Sequence, residues 1–474
     1  MIRKLHGSAV IAAHLPGQRR VPFLSREKLD ALRDQRIRDI VRHAVRHVPY
    51  YRDWFAREGI DPHAIKCAAD LDRLPLLDKE LIRAQPRLFV ADNVRHTLSF
   101  LTSGSTGTPI EIHHDHHSLL ANISYGERER EPVNRLCGSF RPKELYVGYD
   151  TSTFKKVIAF YEQNTMLPVR PRRRTVSLLE PIENIVELAN RERPDILVGY
   201  GGWIALFFRT VSARGLKLHP PKLVMYMGEA LPHGARDLIE REFGIPVMSR
   251  YNAVESFKIG FFCEERRGFH LHEDLCHVRI AEGRIVISNL INRATVLLNY
   301  PIGDLAVMSA EACPCGRTFR LLSELEGRVE DILPLADGRQ IHPRAVWQVF
   351  KGNREVLQYQ LIQHELRRFT LTLVTVDAAA FRRAVERALP QLRQLLGADA
   401  IIETEQRTEL KRGSGNKFRA VVSRCAPTAS GTEAGPATTR PPQSPVGDTA
   451  RETPANRSDR NDDTPSNTQS QRAG

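Results

Sequence analysis

The chain has no apolar run approaching the roughly 18 residues that a membrane helix needs. That excludes a helical span. Its seven cysteines are an odd and scattered set, unlike the paired framework of a secreted disulfide scaffold. The N-terminus carries Arg3 and Lys4 and a short apolar patch, Ala9 to Ala13, which His14 and Pro16 break at once. A secretory signal needs a longer apolar stretch, so the expected location is the cytoplasm. From about 425 to 474 there is no Phe, Trp or Tyr, and the segment is rich in Pro, Thr, Ser, Asn and Gly. Such a segment buries too little to offset chain entropy and is expected to be a disordered tail.

What is present is a chain of 474 residues, 41% hydrophobic, with a net charge of +13. That length accommodates roughly two to four domains and a large core. A basic balance suits nucleic acid, membrane surfaces or anionic substrates. The only tight basic cluster is Arg170, Arg172, Arg173 and Arg174, which reads as a solvated surface. Polyanionic small molecules fit the charge at least as well as nucleic acid.

Apolar residues Leu29, Leu32, Ile37, Ile40, Val41 and Ala44 recur at three-and-four spacing. The spacing predicts a helix over 26–47, capped by Ser25 and stopped by Pro49. A short helix is expected after Asp78, a capping residue. Between 96 and about 325, apolar runs such as Ile196–Val198, Leu223–Met227 and Ile285–Ile287 alternate with helical stretches at 203–213 and 234–243. Alternation of that kind indicates a layered α/β domain. Beyond 328 a period-two strand (Phe369, Leu371, Leu373, Thr375), an amphipathic helix over 379–396 and a strand from Ile401 predict a compact α+β unit. There are no internal repeats.

Thr102-Ser103-Gly104-Ser105-Thr106-Gly107-Thr108-Pro109 follows the strand-like residues Leu98, Phe100 and Leu101. Glycines let the backbone turn and present N–H groups, and the hydroxyls add donors, as a phosphate cradle requires. The run lacks the Lys-Ser/Thr ending of a Walker A loop. The bland alternative is a flexible Ser/Gly linker.

This segment resembles the signature loop of the acyl-adenylate-forming superfamily, and further landmarks follow in that family's order. Gly228-Glu229-Ala230 resembles the adenine-pocket segment. Tyr251-Asn252-Ala253-Val254-Glu255 resembles Tyr-Gly-x-(Thr/Ser)-Glu, whose glutamate helps to hold Mg²⁺. Tyr300-Pro301-Ile302-Gly303-Asp304 resembles the motif whose aspartate takes the ribose hydroxyls. Gly327-Arg328-Val329-Glu330-Asp331 resembles Gly-Arg-x-Asp-Asp, whose arginine contacts the nucleotide. Gly413-Ser414-Gly415-Asn416-Lys417 resembles the loop whose lysine reaches the reacting carboxylate. Within the superfamily, His47-Val48-Pro49-Tyr50-Tyr51-Arg52 and Asp70-Leu71-Asp72-Arg73-Leu74-Pro75 resemble the phenylacetate–CoA ligase and capsule-biosynthesis branch. Asn252, Val254 and Glu330 depart from the family pattern, and the 147–161 stretch lacks the branch's glycines. These departures bear on the acyl substrate more than on adenylation.

The resemblance implies a large N-terminal adenylation domain over 1–327, with a helical segment at about 20–95, and a small mobile lid over 328–424. It implies ATP-dependent activation of an aryl or medium-sized carboxylic acid as acyl-AMP, then transfer to coenzyme A. Thr106, Glu255 and Lys417 would be catalytic. Thr102 to Gly107, Gly228, Glu229, Ala230, Tyr251, Asn252, Asp304 and Arg328 would bind nucleotide. A carrier protein as acceptor and a homodimer stay open. So do transfer of AMP or acyl to a cofactor or amine, and a nucleotide-binding pseudoenzyme.

Cys263, His270, Cys313 and Cys315 are spaced C-x6-H…C-x-C around Pro314 and Gly316. Three thiolates and an imidazole suit a closed, structural Zn²⁺ site, and members of the resembled branch carry comparable sets. The alternative is four ordinary buried side chains. His272, Cys276 and His277 are rival ligands.

Overall fold

The computed structural model describes residues 1–102, 110–148, 153–166, 172–322, 325, 327–328, 332–341, 343–350, 353, 355–410 and 419–425. The expected disordered tail lies, from 426 onward, outside the described residues.

The main body is built on an eight-stranded sheet. Its strands run in the order Leu321–Leu322, Phe269–Leu271, Gly260–Phe262, Val247–Tyr251, Leu223–Met227, Ile196–Tyr200, Lys143–Gly148 and Arg172–Ser177. From Val247–Tyr251 to Arg172–Ser177 the pairing is parallel, and towards the other edge it turns antiparallel. The central strands Ile196–Tyr200 and Leu223–Met227 are continuous apolar runs because both their faces are covered, whereas the edge strand Arg172–Ser177 is polar. Alternate side chains serve two cores. Leu197, Val224 and Val247 pack with Trp203, Phe207 and Phe208 of helix Gly201–Ala213. Ile196, Val198, Leu223, Met225 and Met248 face the other core.

That second core is closed by an antiparallel sheet of Cys276–Ala281, Arg284–Asn289, Tyr300–Leu305 and Gly327–Arg328. The expected helix forms as Arg26–His47 and buries Leu29, Ile37, Ile40, Val41 and Ala44. Ser25 stands at its N-cap without a side-chain cap bond, a correction to the capping expectation. Asp78 does cap Lys79–Ala84, accepting from Glu80 N at 2.8 Å.

Residues 333–421 hold a core of their own. Strand Arg368–Thr375 lies between Val356–Glu365 and Ile401–Gln406. Helix Ala378–Leu396 buries Ala380, Ala384, Ala388, Leu392 and Leu396, the four-residue spacing of one helix face. This part rests on the main body through Arg209, whose guanidinium donates to Gln358 Oε1 at 3.2 Å and to Thr408 O at 2.5 Å.

The N-terminus departs from expectation. The patch broken at His14 belongs to a helix, Ile2–His14, that packs on helices His116–Tyr125 and Thr153–Asn164. A Cβ on Gly7 would lie 2.0 Å from the Asn164 carbonyl oxygen, so only glycine permits that approach. No helix among the described residues is long and apolar enough to cross a membrane.

Candidate functional site

Strands Thr97–Leu101 and Glu111–Asp115 form an antiparallel hairpin. In sequence, the glycine-rich run lies between these two strands. Thr102 closes the base: its N–H donates to Ile110 O at 2.9 Å, and its Oγ1 accepts from Ile110 N at 2.9 Å. Ser103, Gly104, Ser105, Thr106 and Gly107 lie outside the described residues, as do Glu330, Asp331 and Lys417.

The remaining motifs gather at the carboxyl ends of the parallel strands, where open α/β sheets bind ligands. Strand Ile196–Tyr200 runs straight into helix Gly201–Ala213, and strand Leu223–Met227 into Gly228-Glu229-Ala230. Gly228 has a φ of 75°, a left-handed turn that favours glycine. The chain then passes so close to the neighbouring helix that a Cβ on Gly201 would meet the Ala230 carbonyl oxygen at 2.3 Å. Glu229 accepts from Gly202 N at 3.0 Å. It thus caps that helix, where a carboxylate also meets the positive end of the dipole.

Tyr251 ends strand Val247–Tyr251, and Asp304 lies on strand Tyr300–Leu305 of the other sheet. Tyr251 OH donates to Asp304 Oδ2 at 2.7 Å. Burial, followed by the charge of Asp304, pushes the Tyr251 phenol well above its usual range, so the phenol stays a donor. Tyr300, four residues before Asp304, donates to Glu255 Oε1 at 3.4 Å. Asn289 Nδ2 fixes the backbone of Glu255 through its carbonyl, at 2.9 Å. Asp304 is also in register with Arg328 on the adjacent strand Gly327–Arg328. Four segments separate in sequence therefore meet at one place. Asn252, with its amide oriented to satisfy both groups, donates to Phe257 O at 2.7 Å and Tyr251 O at 3.0 Å. That accounts for an asparagine where the resembled pattern has glycine: it ties the loop to itself.

Behind this crevice, Cys263, His270, Cys313 and Cys315 place one ligand atom each within 4.8 Å of one another. Cys263 Sγ and Cys313 Sγ are 3.6 Å apart, and Cys315 Sγ and His270 Nε2 3.4 Å. A disulfide needs about 2.05 Å, whereas ligands on a tetrahedral ion with bonds near 2.3 Å stand roughly 3.7 Å apart. The set therefore fits a zinc ion. Gly316, at a φ of 78°, turns the chain back so that both Cys313 and Cys315 reach the cluster. Burial opposes ionisation of Cys315, but its contacts with His270 and Arg317 outweigh burial and bring its pKa down to about 6. Burial pushes the Cys263 thiol up. The rival ligands are engaged elsewhere. His272 Nε2 contacts Glu129 at 3.0 Å, His277 Nε2 contacts Asp72 at 2.8 Å, and Cys276 is fully buried.

No protein-family profile matches the chain. It is similar to a phenylacetate–coenzyme A ligase of Thermus thermophilus, 25% identical over 82% of this chain and 89% of that protein. A phenylacetate–coenzyme A ligase of Aromatoleum evansii is 22% identical over 72% of this chain and 79% of that protein. Among solved structures, a 2-hydroxyisobutyryl-CoA ligase in the postadenylation state matches with a TM-score of 0.68 at 19% identity, covering 85% of this chain and 91% of that one. The chain has the fold of the adenylate-forming ligases. Against the thioesterification state of the same ligase, the score is 0.52.

Within this adenylate-forming fold, the structure brings together Tyr251, Glu255, Asp304 and the backbone of Arg328, with Gly228 and Ala230 at the neighbouring strand end. Trp203 is 2% exposed and stacks on Phe207 at 5.0 Å. It is a core residue. Sequence reasoning missed Glu129 and its neighbours on helix Glu127–Cys137, whose run of Glu and Arg reads as solvated although Arg128 and Glu129 are buried.

Proposed function

We propose that the protein is an AMP-forming acid–thiol ligase: it adenylates a carboxylic acid with ATP and passes the acyl group to coenzyme A. The observation that carries this reading is the meeting of Tyr251, Glu255, Tyr300 and Asp304 at the carboxyl ends of the parallel strands. The named relatives are phenylacetate–coenzyme A ligases, which favours an aryl or medium-sized acid.

The acid's carboxylate attacks the α-phosphorus of ATP, and pyrophosphate leaves. Donors of residues 102–107 offset the charge that builds on the phosphates. Asp304 takes the ribose hydroxyls and Tyr251 holds that carboxylate in place; Arg328, across the strand pair, adds positive charge on the nucleotide. Lys417 aligns carboxylate and phosphate for in-line attack. Mg²⁺ would be held by Glu255 together with the phosphates, since it commonly takes one or two carboxylates plus phosphate oxygens; bound there, it would neutralise phosphate charge. Zn²⁺ would be held by Cys263, His270, Cys313 and Cys315 as a staple, with no open position for chemistry.

Residues 1–327 act as the adenylation domain and 328–424 as a lid hinged at Glu330. The lid presents Lys417 for adenylation and then turns away to admit the thiol. A lid near its adenylation position agrees with the higher score against the postadenylation state. The setting is cytoplasmic.

The test is pyrophosphate release from ATP across aryl, fatty and hydroxy acids, with and without coenzyme A. Acid-dependent release that falls on the order of 100-fold or more in Lys417→Ala supports adenylation, and acyl-CoA formation supports the thiol step. Acid-dependent release without acyl-CoA moves the acceptor to an amine or carrier protein. Folded protein that releases no pyrophosphate with any acid overturns the reading.

A further inference from the structure

Helix Glu127–Cys137 belongs to none of the motifs. Its Glu129 side chain is 4% exposed, yet three basic groups converge on it. Lys258 Nζ lies 2.8 Å and His272 Nε2 3.0 Å from Oε1, and Arg250 Nε lies 3.1 Å from Oε2. Arg250 immediately precedes Tyr251, and Lys258 immediately follows Phe257. One buried carboxylate therefore grips both ends of the segment that carries Tyr251, Asn252 and Glu255.

Backbone bonds complete the grip. Ile259 N donates to Tyr251 O at 3.2 Å, Ala253 and Ser256 exchange bonds at 3.1 and 3.2 Å, and His272 N donates to Ile259 O at 2.9 Å. The same helix holds the wall behind. Arg128 pairs with Asp274 at 2.6 Å, and Glu131 pairs with Arg317, the residue beside Cys315, at 2.5 Å. These buried ion pairs tie the helix that carries Glu129 to that wall.

We propose that Glu129 is a positioning residue for nucleotide binding: by anchoring Arg250 and Lys258 it sets where Tyr251 and Glu255 stand relative to Asp304. The inference rests on the ligase reading above. Glu129 touches no substrate itself. Its leverage is geometric, since a displacement of about 1 Å at a reacting site can cost on the order of 100-fold. The amide of Glu129→Gln keeps the shape but removes the charge that holds two cations at once.

The experiment is calorimetric titration of the full chain with the magnesium complex of a non-hydrolysable ATP analogue, wild type against Glu129→Gln, with melting curves for both. Steady-state KM values for ATP and for the acid accompany it. The expected result is a tenfold or greater weakening of nucleotide binding and a matching rise in KM for ATP. KM for the acid should stay within about twofold. Arg250→Gln leaves the Glu129–Lys258–His272 contacts in place and releases one end only. It should weaken nucleotide binding about threefold, and it decides the matter if Glu129→Gln does not fold. A lowered melting temperature with unchanged nucleotide affinity, or an equal loss in every parameter, overturns the inference. If the wild type binds no nucleotide, the ligase reading falls first and this inference with it. If the wild type binds and both variants bind equally, only this inference falls.

Discussion

The crevice at the strand ends and the wall behind it use polar side chains in opposite ways. In the crevice, Tyr251 and Glu255 come from one segment and Tyr300 and Asp304 from another, held together where two sheets meet. In the wall, charges are shut away in pairs. Arg128 and Asp274 are both 0% exposed at the side chain, and Asp274 also meets Arg36 at 2.8 Å. Glu273, equally buried, lies between Arg26 at 2.9 Å and Arg320 at 2.6 Å. The lesson is that charge in this molecule separates by purpose: chemistry in front, fastening behind. A substitution in front should cost turnover and spare the fold, and one behind should do the reverse.

Arg128→Met gives the largest expected effect. It leaves Asp274 buried with one cation fewer, and removing one partner of a buried pair costs about 3–5 kcal/mol. Denaturant unfolding should show that loss, while turnover per folded molecule stays within about twofold. A large loss of turnover at unchanged stability would break the comparison. Asp304→Asn tests the opposite side. The amide oxygen can still accept from Tyr251, so the melting temperature should barely move. Acid-dependent pyrophosphate release should fall on the order of 100-fold, which is about 2.7 kcal/mol of transition-state stabilisation.

Removal of zinc sharpens the boundary, since the Cys263–His270–Cys313–Cys315 cluster lies in the wall. The purified protein should carry about one zinc per chain, and Cys313→Ser should carry none. Chelation should lower stability by roughly 2 kcal/mol, because metal binding contributes to folding free energy, with residual activity tracking the folded fraction. A chelator that abolishes activity in fully folded protein would move the cluster to the front.

The last test of the wall is acid. Burial lowers the pKa of His114 and His272 to about 4. The unfolded chain therefore binds more protons than the folded one between about 6.5 and 4, and stability falls as pH falls through that window. Burial also opposes ionisation of Asp274, but Arg128 and Arg36 outweigh it and hold its pKa near 2. Its contribution is complete above the ordinary carboxylate value and is lost as pH drops from about 4 towards 2. Denaturation midpoints from pH 7 to 2 should decline in those two stages, and Arg128→Met should lose most of the second.

Much of the crevice was legible because its signals are local. A Gly/Ser-rich run after strand-like residues, the apolar runs Ile196–Val198 and Leu223–Met227, and motif order along the chain all survive in one dimension. The Cys/His set, His270 included, was legible as spacing, and the fold gives the reason for the choice of His270 over its rivals His272 and His277. That choice depends on strand pairing: His270 lies opposite Leu321, which brings it to the Cys313–Cys315 turn, while His272 meets Glu129 across the fold. The N-terminal helix escaped notice because its apolar patch is short, and its burial is supplied by two helices more than a hundred residues away.

The sequence by itself determined elements with a strong period, such as the helix Arg26–His47 and the strand Leu223–Met227, and the order of the motifs along the chain, because propensity and periodicity act over a few residues. Only the tertiary structure decided that Tyr251 would meet Asp304, that Glu229 would cap a helix, and that Glu129 would stand buried between Arg250 and Lys258. Whether a glutamate is a solvated charge or a buried anchor depends on the partners folding delivers to it. For Glu129, Lys258 and His272 lie 129 and 143 positions away in the chain.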